Sequence, residues 1–113
     1  MLHNPIEDIR SNLKDPEFAR YFGEDHAKTS FALTLAIARQ NAGLTQKELA
    51  AKAGVSQAYI AKLEGGEANP TLGRIGSLLA VLGLSLVTDV EELSHRSEKP
   101  DREKDKPKTM VKV

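Results

Sequence analysis

Residues 42–64 read Ala42-Gly43-Leu44-Thr45-Gln46-Lys47-Glu48-Leu49-Ala50-Ala51-Lys52-Ala53-Gly54-Val55-Ser56-Gln57-Ala58-Tyr59-Ile60-Ala61-Lys62-Leu63-Glu64. The stretch predicts two short helices and a tight turn. Thr45 and Glu48 have the spacing of a capping box, in which each side chain satisfies an orphan backbone N–H. Leu49, Ala50 and Ala53 follow at helical spacing. Gly54 suits the left-handed position that ends a helix, and Val55 can fill the gap between the two helices. Ser56 is a good N-cap for the second helix. Its Ile60 and Leu63 turn inward, while Gln57, Ala58 and Lys62 turn outward. Gly65-Gly66 ends it.

Two helices of this size cannot bury enough surface alone, so flanking segments must complete the core. The outer face of the second helix is then left for another task. In a helix-turn-helix that face enters the DNA major groove.

The stretch resembles the phage-repressor/Cro-type (XRE) helix-turn-helix family. The matching residues are Gly43-Leu44-Thr45-Gln46, Glu48-Leu49-Ala50, Gly54-Val55-Ser56-Gln57, Ile60, Leu63-Glu64 and Gly66, at the family's spacing and without insertion. The resemblance covers roughly residues 31–84. It implies an all-α fold, a compact Cro/repressor-like helical bundle. Around it the sequence predicts an N-terminal helical extension (residues 1–25), the helix-turn-helix domain (26–88) with one short C-terminal strand, and a charged, solvated tail (89–113).

The resemblance also implies roles. An arginine at position 39 pairs in the family with the glutamate closing the recognition helix, here Glu64, as a structural ion pair. Gln46 stands where the family has a glutamine that touches the DNA backbone and braces the first recognition residue. Chemistry supplies the remaining DNA-binding set. The Gln57 amide can donate and accept together, which matches the N6/N7 edge of adenine. Thr45 and Ser56 can offer hydroxyls to phosphate. Ala58 could touch only a thymine methyl, Tyr59 can lie along the sugar-phosphate wall, and Lys62 can reach a guanine or a phosphate. One departure stands out: where relatives often carry a phosphate-contacting base, this chain has Glu67.

The 113 residues suffice for one small domain with extensions. Aromatics are only 4% of the chain, so the core should be Leu, Ala, Ile and Val. The chain has no cysteine, which fits a reducing cytoplasm and excludes disulfides and Cys zinc sites. No apolar run approaches the roughly eighteen residues of a membrane span, and the N-terminus lacks a signal-peptide pattern. Net charge is zero, with 16 basic and 16 acidic residues. Residues 27–83 nevertheless hold Lys28, Arg39, Lys47, Lys52, Lys62 and Arg74 against Glu48, Glu64 and Glu67. The head is acidic. Such a modest basic surplus predicts weak binding by one module and a need for two.

In chain order, Asn4, Pro5 and Glu7 open a short helix with Ile6, Ile9 and Leu13 on one face. Asp15-Pro16-Glu17 is a second helix start, leading into Phe18, Tyr21 and Phe22. These aromatics have two readings: core padding, or an anchor for a partner protein. Gly23 should interrupt. A helix from about Asp25 or His26 to Ala42 carries Phe31, Leu33, Leu35, Ile37 and Ala38 and forms the floor of the domain. His3 and His26 lack metal-spaced companions and read as solvated. After a loop, Pro70 or Thr71 starts a helix to Leu82, with Leu72, Ile75, Leu78, Leu79 and Leu82 as its buried face. Residues 84–88 alternate like a short strand, which needs a pairing partner. The tail ends in a small apolar cluster, Thr109 to Val113, which reads either as a segment that folds on binding or as a degradation handle.

No catalytic constellation, metal cluster or cofactor loop is present in the pattern, so an enzyme is not expected. The expected partners are double-stranded DNA with a palindromic operator, a second copy in a homodimer, and no membrane. The Asp-Pro-Glu-Phe opening, the Ala/Leu-rich helix and Gly-Leu-Thr-Gln also resemble HigA-type antitoxins. That likeness implies a small, basic, mRNA-cleaving toxin as partner and repression of the chain's own operon. An acidic, aromatic head suits a basic partner. The alternatives are a stand-alone regulator without a toxin, and an interaction module that no longer reads DNA.

Overall fold

In the computed structural model, which describes residues 5–93, the periodic segments form five helices. They are α1 (Pro5–Asn12), α2 (Pro16–Asn41), α3 (Gln46–Ala53), α4 (Gln57–Glu64) and α5 (Leu72–Val81). Expectations for His3, Asn4 and the chain beyond Leu93, the terminal apolar cluster included, lie outside the described residues.

Local chemistry sets most boundaries. Asp15 Oδ1 accepts the Glu17 N–H at 3.1 Å as α2 begins. The Thr45–Glu48 capping box is complete: Glu48 N–H donates to Thr45 Oγ1 at 3.0 Å and Thr45 N–H to Glu48 Oε1 at 2.9 Å. Gly54 takes φ 72°, ψ 31° and closes α3, a conformation that costs a residue with a Cβ roughly 1–2 kcal/mol. Ser56 Oγ accepts the Tyr59 N–H at 3.0 Å, and Thr71 Oγ1 the Arg74 N–H at 3.1 Å. Thr71, not Pro70, is the cap of α5.

One boundary differs from the sequence reading. Gly23 does not interrupt: α2 runs unbroken from Pro16 to Asn41, so no separate helix starts at residue 25 or 26. Helix elongation adds a hydrogen bond for each residue fixed, which outweighs the penalty of about 1 kcal/mol for one interior glycine. The Lys28–Glu24 pair, at 3.4 Å and i,i+4 spacing, spans the turn after it.

Of the described residues, 21–86 form one compact unit and 5–20 with 87–93 another. The core lies in the first. Leu35, Leu49, Ala50, Ile60, Leu63 and Leu78 are buried together, with Phe31, Leu44, Val55, Tyr59 and Leu82 packed at the fringe. Each fully buried leucine or isoleucine contributes about 1.5–3 kcal/mol relative to exposure. One expectation of burial is corrected. Leu72 is 71% exposed, because it is the first residue of α5 and helical side chains lean toward the N-terminus, away from the packed turns. Leu33 and Ile37 are 62% and 47% exposed, on the side of α2 away from Leu35. The floor helix therefore carries a second, uncovered apolar face.

Among the described residues no strand is present. The expected 84–88 strand is therefore not formed there: a strand needs a second one beside it, and the described residues supply none.

Candidate nucleic-acid interface

Eight residues of α4 divide cleanly by helical angle. Ile60 and Leu63 are buried, while Gln57, Ala58, Ala61 and Lys62 are exposed in one row. Tyr59 and Glu64 occupy the two flanks between row and core, each half-buried. The row is therefore presented on a helix whose roll is fixed by two inward anchors.

The Glu64 flank is locked by Arg39. Its Nε–H donates to Glu64 Oε2 at 2.7 Å and Nη2–H to Oε1 at 3.0 Å, a bidentate fork. Nη1–H donates to the Leu44 carbonyl at 2.7 Å. The end of α2, the loop before α3 and the end of α4 are thus held by one guanidinium. Burial pushes the Glu64 carboxyl up, but the hydrogen bonds from Arg39 and Gln46 and the arginine charge together hold it below the usual carboxylate range. The Glu64 hydrogen bond in turn raises the Arg39 pKa above its ordinary value, against desolvation.

Gln46 is half-buried, and its Nε2–H donates to Glu64 Oε1 at 3.0 Å. No hydrogen bond from Gln46 to Gln57 is among those of the described residues, so in the single chain Gln46 braces the end of α4 and not its start. A carboxylate with lone pairs to fill is the stronger acceptor. The hydroxyl oxygens of Thr45 and Ser56 accept the capping N–H groups, which leaves each hydroxyl hydrogen to be donated outward.

The Tyr59 flank carries a residue that the linear pattern did not single out. The Arg74 guanidinium lies over the Tyr59 ring, 5.7 Å from its centroid. Ala61, one turn beyond Gln57, also joins the exposed row, which i+4 spacing alone would have indicated. Nothing in the linear sequence pairs positions 59 and 74.

The three aromatics near the start of α2 sit differently. Tyr21 is 75% exposed, whereas Phe18 and Phe22 are half-buried. Phe22 stacks on His26, with ring centroids 5.8 Å apart and planes within 7°, and His26 stays exposed, as the sequence predicts. Among the described residues no group of His, Asp or Glu is placed to hold a metal ion, and no helix is long and apolar enough to cross a membrane.

Residues 35–88, which span α3 to α5, match a family profile described as helix-turn-helix. An uncharacterized HTH-type transcriptional regulator from Haemophilus influenzae is 38% identical over 88 residues, covering 74% of this chain and 89% of that protein. The chain belongs to the helix-turn-helix family of transcriptional regulators. In this helix-turn-helix, α3 and α4 are the paired helices. A second HTH-type regulator, from Sinorhizobium fredii, is 44% identical over 57 residues, 48% of this chain and 74% of its own length. Among solved structures, one chain of a toxin–antitoxin module from Streptococcus pneumoniae is similar over 80% of this chain and 97% of its own, with a TM-score of 0.53 and 29% identity.

Proposed function

We propose that this regulator is a sequence-specific repressor that binds a palindromic operator as a two-fold dimer. We propose further that it is the antitoxin of a type II pair, neutralising a small basic mRNA-cleaving toxin and repressing its own operon. The observation that carries DNA reading is the exposed row of α4, held at both flanks by side chains from other elements. Gln57 at the start of that row is the adenine reader, and Lys62 contacts a guanine or phosphate. Ala58 meets a thymine methyl, and Thr45, Gln46, Ser56 and Tyr59 contact the backbone.

Replacing Gln57 by alanine should relax preference at one base pair by about 1–3 kcal/mol while leaving random-sequence affinity in place. Equal binding of promoter and random duplexes by the unaltered chain, with the same salt slope, would end the reader assignment.

The antitoxin reading is supported by the likeness to a chain of a toxin–antitoxin module and by the acidic, aromatic head, in which Phe18, Tyr21 and Phe22 are the partner-binding residues. A tagged pull-down from the native host tests it. A small, basic, stoichiometric partner whose isolated expression arrests growth supports an antitoxin, and deleting residues 1–23 should then abolish capture while sparing DNA binding. Recovery of the homodimer alone, still shifting its own promoter, favours the stand-alone regulator.

A further inference from the structure

We propose that Arg74 and Tyr59 form a phosphate clamp at the edge of the recognition helix. The proposal rests on the DNA-binding reading and adds a contact from α5, outside the paired helices. The charge account points to it first. Of the six cations in residues 27–83, Arg39 is committed to Glu64 and Lys28 to Glu24. Lys47, Lys52, Lys62 and Arg74 remain. Among the described residues no carboxylate lies within ion-pair distance of Arg74.

Its placement follows from α4. Tyr59 borders the exposed row, one position from Ala58 and three from Lys62, on the flank opposite Glu64. A duplex that meets the row with its base edges brings its sugar-phosphate wall against that flank. Arg74 stands there over the ring, inside the roughly 6 Å range of cation–π attraction. Its root is fixed as well. The Arg74 N–H donates to Thr71 Oγ1 at 3.1 Å, and its carbonyl accepts the Ser77 hydroxyl at 3.0 Å. A cation–π contact uses none of the guanidinium's N–H groups in hydrogen bonds to oxygen, so they remain for a second partner, and the fork matches two phosphate oxygens. The ring thus pre-orders a long side chain that would otherwise lose rotamer freedom on binding.

The clamp predicts a backbone contact without sequence preference. Arg74→Ala, Arg74→Lys and Tyr59→Phe are made in the full chain. Fluorescence anisotropy then follows binding to a duplex of the chain's own promoter and to a random-sequence duplex across a salt series. Arg74→Ala should weaken both duplexes by the same factor. That factor is about five- to ten-fold at about 0.1 M salt, and the slope of log K against log salt should fall by about 1 for each bound subunit. Arg74→Lys should keep the slope but only part of the affinity, since the charge survives and the fork does not. Tyr59→Phe keeps the ring face and should keep the slope.

An unchanged affinity and slope in Arg74→Ala, whatever its melting temperature, would overturn the clamp and leave the Arg74–Tyr59 contact a packing one. A change in the promoter-to-random ratio at constant slope would overturn it in favour of base reading. If the unaltered chain bound neither duplex with a salt dependence, the clamp and the DNA reading would fall together. If it bound both equally and Arg74→Ala lost slope, the clamp would stand and only the sequence-specific reading would fail.

Discussion

Arg39 and Glu64 lie 25 residues apart, and their side chains are only 12% and 8% exposed. No spacing rule reaches that far, so the pair is legible in the sequence only through resemblance to a family. Breaking it should cost more than breaking a surface pair. Arg39→Ala leaves a carboxylate out of water with the Gln46 amide as its remaining partner, and also strips a donor from the Leu44 carbonyl. A loss of about 3–5 kcal/mol is expected, read from the urea midpoint at neutral pH. The pH dependence has a definite sign. Glu64 is held below the usual carboxylate range in the folded chain, so the native state takes up this proton less readily than the unfolded one. The pair's contribution is therefore complete above the ordinary glutamate value of about 4.3. It is lost as the pH falls through the depressed value. The guanidinium stays charged throughout. As the pH falls below the ordinary glutamate value of about 4.3, the unaltered chain should lose stability more steeply than Glu64→Gln, and parallel curves for the two would show that Glu64 carries no such linkage. Gln46 shows what position alone leaves open: the residue stands where expected, but its amide points to Glu64, a choice made by a carboxylate 18 residues away.

At the scale of elements, the signals that proved legible are those a few residues long. The Thr45–Glu48 box, the left-handed Gly54, the Ser56 cap and the Thr71 cap each join groups within about three residues, and each is in place. The α5 face was readable for Ile75, Leu78, Leu79 and Leu82, but not at Leu72, where helical angle says nothing about what stands opposite the first turn. Gly23 failed for a related reason. Its penalty is local, whereas the continuity of α2 is cooperative along 26 residues. That contrast is testable. Gly23 is exposed in the helix interior, its φ is not positive, and a Cβ built there meets nothing within 4 Å. Gly23→Ala should therefore stabilise the chain by about 0.5–1 kcal/mol, seen as a higher melting temperature together with increased helicity. A neutral or lower melting temperature would mean that the helix is broken near residue 23 after all.

For the whole molecule, the face of α2 that turns away from its own core sets the last expectation. Leu33 and Ile37 are one turn apart and exposed, and Ile37, Ala38, Leu82 and Leu84 border a shallow depression of about 460 Å³ in the same compact unit. Surface leucines and isoleucines gathered in this way mark an interaction site more often than scattered ones do. On the proposed two-fold dimer, a second copy is the occupant expected for this face. With Arg39 and Lys28 internally paired, each module keeps few cations, and two modules on a palindrome double the phosphate contacts and the released counterions while making the second binding event intramolecular. The same association would give the alternating 84–88 segment a strand to pair with. Ile37→Asp places a carboxylate in that face at little cost to the buried core, because Ile37 is not among the core residues and is 47% exposed. Sedimentation equilibrium should then report the monomer mass for Ile37→Asp and, on the proposed dimer, twice that mass for the unaltered chain. Promoter affinity should drop by at least 10²-fold as avidity is lost, while the weak binding of one module to random duplex persists. A dimer that survives Ile37→Asp with its promoter affinity unchanged would place the two-fold contact elsewhere on the chain.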